Sequence, residues 1–291
     1  MKNYGELLEN ESLKKYNTYK IGGKAKYLIK PYNISSLKKL LEYLNNKKIK
    51  YLLIGKGSNI ILPDEDYDGV VILLDKLNRI EIKDNLAIVE AGAILNNFIN
   101  ECINNSLGGL ENLYGIPGTV GGAIVGNAGC NKSEISDNLI EITYLKNDNI
   151  ITKSKKDCLF EYRNSEFKNK KDIIILSAKF LLEYKDKECM KKTIKNNLTK
   201  RKESQPLEYP NAGSVFKNPT NNSAGKLIDN AGLKNYNIGG AFVSDKHANF
   251  IINKNNATSK DILSLIKYIE KEISEKENIN LELEQIVIKY N

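Results

Sequence analysis

Glycine is placed so unevenly along this 291-residue chain that its distribution constrains the fold more than any other feature. Eight of the twenty glycines fall between Gly108 and Gly129, and none lies between Cys130 and Ala212. A second, looser group runs from Gly213 to Gly240. Without a Cβ, glycine reaches positive φ and lets backbone approach a ligand closely. Both groups carry Ile, Val, Leu and Phe throughout, unlike a flexible Gly/Ser linker, so they read as ordered loops.

The intervening pattern is mixed α and β. Ala25–Pro31, Tyr51–Ile54 and Val70–Leu74 read as strands, and Ser35–Lys47 as a helix with a Ser cap and Leu37, Leu40, Leu41 and Leu44 on one face. Ile80–Lys83 and Leu86–Ala91 form a hairpin turned at Asp84 and Asn85, and Leu95–Asn104 is helical. Strands follow over Leu139–Leu145, Ile150–Ser154 and Ile173–Leu182. A charged helix, Lys187–Lys202, ends ahead of Pro206 and crosses into a second domain. There Thr258 and Asp261 make a capping box before Ile262, Leu265, Ile266, Ile269 and Ile273, and a strand over Leu281–Ile288 closes the chain. The expected domains are 1–183, with lobes of about 1–74 and 75–183, and 184–291.

Composition excludes several classes. The longest purely apolar run, Val70–Leu74, is too short to cross a membrane, and no signal-peptide pattern follows Met1. Cys102, Cys130, Cys158 and Cys189 are widely spaced, which suits reduced thiols in a cytoplasmic protein. One histidine, His247, leaves no multi-histidine metal site. The formal charge of +8 comes mostly from lysine, with Arg79, Arg163 and Arg201 the only arginines among 44 basic residues. Lysine this evenly spread reads as solvated surface, without the clustered arginine or aromatic platforms of a nucleic-acid binder. Each remaining arginine is a candidate for a planar, two-pronged contact that lysine cannot make.

Four segments could carry chemistry. Gly55, Lys56, Gly57, Ser58 and Asn59 follow an apolar strand, but a strand-like Ile60–Leu62 comes next, which argues against a Rossmann turn. Such a loop can present N–H groups to an anion or be a plain β-turn. The stretch from Gly115 to Gly129 reads as a cofactor cradle, with Pro117, Gly118, Gly121, Gly122 and Ala123 in the loop and Thr119 and Asn127 as hydrogen-bonding groups. Arg163 stands between Tyr162 and Phe167, either stacked at the surface or holding a carboxylate. Prolines and a glycine bracket Ser214 in a rigid loop that also holds Lys217 and Asn218, but no nucleophile elbow surrounds it. Glu282 and Glu284 share one side of the last strand.

Taken in order, Asn17–Gly23, Gly55–Asn59, Gly115–Gly129, Tyr162–Ser165, Asn211–Pro219, His247–Phe250 and Glu284 resemble the UDP-N-acetylenolpyruvoylglucosamine reductase (MurB) family over nearly the whole chain. The resemblance implies an α+β fold: a two-lobed FAD-binding domain of the vanillyl-alcohol-oxidase/PCMH type, then a smaller α+β substrate domain. It implies FAD bound in the Gly55–Asn59 and Pro117–Asn127 loops, NADPH as hydride donor and a UDP-sugar substrate met by Tyr162, Lys217, Asn218 and His247. Hydride would reach C3 of the enolpyruvyl group, and Ser214 would protonate the C2 enolate stabilised by Arg163 and Glu284. Glu282 is a rival for the last role. Asn211 stands where the family usually has Ser, and no added segment between Phe180 and Arg201 carries a substrate-closing tyrosine, which resembles the compact subtype. The expectation is a cytoplasmic, monomeric reductase of peptidoglycan precursor synthesis; an FAD-dependent oxidase of a small alcohol is the alternative.

Overall fold

Leucines at positions 37, 40, 41 and 44 fall on one face of a helix. In the computed structural model, which describes residues 1–290, all four are buried on α1 (Ile34–Asn46). The expected Ser cap is corrected to Asn33, whose side chain accepts from the Ser36 N–H at 2.9 Å. Ser35 and Ser36 already lie within the first turn, too late to cap it.

Tyr51–Ile54 and Tyr67–Leu73 pair in parallel, from Tyr51 against Val70 to Ile54 against Leu73. With Gly5–Ser12 and Lys24–Pro31 they make a four-stranded sheet. The link between the parallel strands runs through Gly55–Asn59 into a two-residue strand, Ile60–Ile61, so no helix follows the glycine turn. A five-stranded antiparallel sheet carries, in order, Asn149–Ser154, Leu139–Lys146, Ile173–Leu181, Leu86–Glu90 and Ile80–Lys83. Asp84 takes the left-handed conformation in the expected hairpin turn. Helices α2 (Leu95–Asn104) and α3 (Val120–Val125) pack on this sheet. α2 adds Leu95, Phe98, Ile99 and Cys102 to the core, and burying each large apolar side chain contributes roughly 1.5–3 kcal/mol.

The chain divides into two compact units that are discontinuous in sequence. The first contains Met1–Glu9, Tyr27–Lys56 and Gly69–Thr199; the second contains Asn10–Lys26, Gly57–Asp68 and the chain from Lys200. Residues 183 and 184, where the sequence places the domain boundary, lie inside the first unit. Two early segments belong to the second because Tyr19, Ile21 and Ile61 are buried in its core with Phe216, Ile228, Leu265 and Ile269. Helix α4 (Lys187–Ser204) carries the chain from one unit into the other.

The second unit is built on a three-stranded antiparallel sheet of Asn237–Ile238, Ala241–Val243 and Ile251–Asn253, packed by α5 (Ala224–Asn230) and α6 (Ser259–Glu277). α6 opens with the expected capping box: Thr258 Oγ1 accepts from Asp261 N–H at 3.1 Å, and Asp261 Oδ2 accepts from Thr258 N–H at 2.9 Å. Its five apolar residues at helical spacing are all buried. The expected closing strand over Leu281–Ile288 is interrupted. Leu283 bridges Phe216, Ile286–Val287 pairs in parallel with Ile60–Ile61, and Gln285 separates the two pairings. The buried Gln285 amide instead donates to the carbonyls of Ala212 and Gly213, at 3.1 and 3.3 Å.

Candidate active site

In the first unit, backbone pairing seats the dense glycine loop. Val120 N–H donates to Ala93 O, Gly121 N–H to Ala91 O, and Leu95 N–H to Gly118 O. A Cβ on Gly121 would fall 2.8 Å from the Ala91 Cβ, so only glycine lets the loop sit this close. Thr119 caps α3, accepting from Gly122 N–H at 3.2 Å, and its hydroxyl lies 2.9 Å from where a Gly55 Cβ would stand. Two candidate loops therefore meet at Gly55 and Thr119. Gly55 and Lys56 belong to the first unit. Gly57, Ser58 and Asn59 belong to the second, where a Cβ on left-handed Gly57 would strike the Tyr16 carbonyl.

Arg163 joins the far end of the same glycine stretch. It occupies the turn between the short strands Phe160–Glu161 and Asn164–Ser165, at φ 55°. Its Nη2 donates to Gly129 O at 2.7 Å, its Nη1 lies 3.9 Å from Glu134 Oε1, and its guanidinium sits 4.9 Å from the Tyr162 ring centre. Of the two sequence readings of Arg163, the structure shows the stacking on Tyr162, together with a single long ion-pair approach to the Glu134 carboxylate. Ser165 ties the turn to α3 by donating to Val125 O at 2.8 Å. Asn127 is fully buried at φ 43° and donates to Glu134 Oε2 at 2.6 Å and to Glu161 O at 2.9 Å. Its Oδ1 is buried without a hydrogen-bond partner among the described residues, an acceptor that a bound group could satisfy.

In the second unit the Ser214 loop is clamped from two sides. Asn249 accepts from Phe216 N–H through Oδ1 at 3.0 Å and donates to Phe216 O at 2.8 Å, while Val215 N–H donates to Asn249 O. On the other side, Glu284 N–H donates to Val215 O and Lys217 N–H to Glu282 O, flanking the Phe216–Leu283 pair. Gly213 supplies the left-handed residue before Ser214, at φ 74°. No described residue hydrogen-bonds the Ser214 hydroxyl.

The remaining candidates lie along the same segments. Lys217 pairs with Glu282 at 2.5 Å, and the Glu282 side chain is 71% exposed. Asn218 Oδ1 accepts from Ala224 N–H at the start of α5. His247 Nδ1 accepts from Asn249 N–H at 3.2 Å, so its proton sits on Nε2. Burial, helped by the Lys234 charge, holds its imidazole below the ordinary histidine range. Asn59 donates to Glu284 O at 3.4 Å. Sequence reasoning missed Glu134, Asn249 and Gln285. Asn249 lies inside the His247–Phe250 segment and Gln285 follows Glu284, but only folding shows which backbone groups their amides meet.

With this geometry established, the comparisons with known proteins are specific. Residues 205–288 match the C-terminal domain of UDP-N-acetylenolpyruvoylglucosamine reductase, and residues 25–153 match an FAD-binding domain. The enzyme of that name from Caldicellulosiruptor bescii is 42% identical over 98% of this chain and 91% of its own length. That from Caldanaerobacter subterraneus is 43% identical over 95% of this chain and 92% of its own. The chain belongs to the UDP-N-acetylenolpyruvoylglucosamine reductase family. A reductase structure from Thermus caldophilus superposes with a TM-score of 0.84 at 32% identity, covering 98% of this chain and 99% of that one. As a reductase of this family, the chain has the expected fold class, an FAD-binding domain followed by the family's C-terminal domain. Among the described residues no helix is long and apolar enough to cross a membrane.

Proposed function

We propose that the chain is an NADPH-dependent flavoenzyme that reduces the enolpyruvyl group of UDP-N-acetylenolpyruvoylglucosamine, forming UDP-N-acetylmuramate for peptidoglycan precursors. The observation that carries this reading is Ser214, held in the second unit by a backbone clamp on both sides while its hydroxyl is uncommitted among the described residues. The loop fits FAD. Glycine at 55 and 121 lets the two loops of the first unit pack backbone to backbone, and the buried Asn127 Oδ1 is left as an acceptor that a bound group could satisfy. Bound there, FAD would supply the hydride-transfer chemistry that links NADPH to C3 of the substrate. Gly55 to Asn59, Pro117 to Thr119, Gly121 to Ala123 and Asn127 would hold it.

The chain's own residues would do the rest. As hydride reaches C3, negative charge grows on C2 and the adjoining carboxylate. Arg163, preorganised on Gly129 O, stabilises that charge without having to reorient. The Ser214 Oγ–H then delivers its proton to C2. Serine is a weak acid, but the carbon it protonates is strongly basic, so placement outweighs pKa matching. Glu284 is assigned the carboxylate role; its rival Glu282 pairs with Lys217 and is largely exposed. Tyr162, Lys217, Asn218 and His247 are assigned to UDP-sugar binding. A neutral His247 is suited to hydrogen bonding, not to pairing with phosphate. The same reading makes the enzyme cytoplasmic and monomeric, with no nucleic-acid or membrane partner.

The test is spectroscopic. The purified protein should show flavin absorption that NADPH bleaches and UDP-N-acetylenolpyruvoylglucosamine restores. A colourless protein, or one reoxidised only by a small alcohol's carbonyl product, would contradict the reading.

A further inference from the structure

Glu134 has no part in the reading above, yet its carboxylate is held by several groups of the first unit. Gly129 and Glu134 face each other across an antiparallel pair, joined through Cys130 and Ser133. The two residues at the tip, Asn131 and Lys132, are both left-handed, at φ 51° and 63°. That is a two-residue hairpin of the type whose twist matches its strands. It sets Gly129 O and the Glu134 carboxylate side by side, both against Arg163.

Three groups then hold the carboxylate. Asn127 Nδ2 donates to Oε2 at 2.6 Å, and the Asp137 N–H donates to it in a reciprocal cap in which Asp137 Oδ2 accepts from Glu134 N–H at 2.8 Å. Arg163 Nη1 is the third, at 3.9 Å from Oε1. The fit permits no side chain at position 129, where a Cβ would fall 2.8 Å from Arg163 Nη1 and 3.0 Å from Glu134 Cγ. Arg163 itself is a non-glycine residue in the left-handed region, a conformation that persists only where its surroundings impose it.

We infer that Glu134 is the positioning residue for Arg163: its fixed carboxylate, beside Gly129 O, aims the guanidinium that meets the substrate's developing charge. This rests on the reductase reading for what the arginine does, but not for where it points. Glu134 lies one ion-pair distance from the guanidinium and acts through it.

The test uses the full-length holoenzyme and follows flavin absorbance in rapid mixing. E134Q keeps one oxygen for Asn127 Nδ2 and puts an NH2 in place of the oxygen that faces Arg163, so it removes the charge and the acceptor on the arginine's side. NADPH should reduce E134Q within about twofold of the wild-type rate, while reoxidation by UDP-N-acetylenolpyruvoylglucosamine slows by about tenfold or more. In an Arg163→Lys background the same substitution should change reoxidation by less than about twofold, since the two residues act as one unit. Wild-type reoxidation by E134Q, equal slowing of both half-reactions, or full additivity with Arg163→Lys would each overturn the assignment. Crystal structures of the wild type and E134Q decide the matter without turnover. A guanidinium displaced from Gly129 O supports the role, and an unmoved one refutes it. Failure of the wild-type enzyme to be reoxidised by the substrate would instead refute the reductase reading, and leave the Glu134 question to the structures.

Discussion

Arg163 and Ser214 are both candidates for the chemistry, and the two units hold them in opposite ways. Arg163 is fixed through its side chain: a carbonyl, a carboxylate and an aromatic ring all touch the guanidinium. Ser214 is fixed through its backbone neighbours, with Asn249 on one side and residues 282–284 on the other, while its hydroxyl has no partner among the described residues. The difference matches the tasks proposed for them. A group that stabilises charge gains from standing in its final orientation before the charge appears. A group that gives away a proton must not have that proton engaged elsewhere, so only its carrier is made rigid.

The comparison can be broken most forcefully at the arginine. Arg163→Lys retains the charge but loses the planar pair of N–H donors, and should lower kcat by roughly 10²–10³ with little change in melting temperature. Steady-state kinetics beside a thermal melt checks this, and an equal loss of stability would mean the arginine is chiefly structural. The serine clamp should respond in the opposite sense. Asn249→Ala strands the buried Phe216 N–H and carbonyl and should cost about 2–4 kcal/mol of stability, read by denaturant unfolding. A smaller loss is expected for Gly213→Ala, where nothing lies within 4 Å of the added Cβ. The penalty there is the left-handed backbone alone, about 1 kcal/mol.

The mildest test is pH. Burial lowers the folded pKa of His247 below its unfolded value, so the unfolded chain binds the proton more readily. The stability from neutral His247 is therefore fully present above the unfolded pKa and declines as pH falls through the folded one. His247→Gln should flatten the part of the stability profile below the ordinary histidine pKa. An unchanged slope would mean another group dominates it.

Local pattern made much of this legible. Leu95–Asn104 is helical over the residues its periodicity marks, and Thr258 and Asp261 make the expected capping box. The glycine-dense loop and Arg163 stand out because each departs from the background composition. What stayed hidden depends on long-range pairing. Residues 10–26 and 57–68 belong with the C-terminal unit because Tyr19 and Ile61 are buried there, which no local window reveals. The closing strand looked continuous because Leu281–Ile288 alternates well, yet Gln285 turns its amide to two backbone carbonyls and interrupts it. Glu134 gave no signal either, since its role depends on a two-residue turn of Asn131 and Lys132 that lacks the usual glycine.

The central claim is that Ser214 donates the proton that completes reduction of the enolpyruvyl group. Ser214→Ala holoenzyme, mixed with NADPH and then with UDP-N-acetylenolpyruvoylglucosamine, isolates that step. The account predicts flavin bleaching at close to the wild-type rate, followed by reoxidation slowed by about 10³ or more. Reoxidation at the wild-type rate would contradict it.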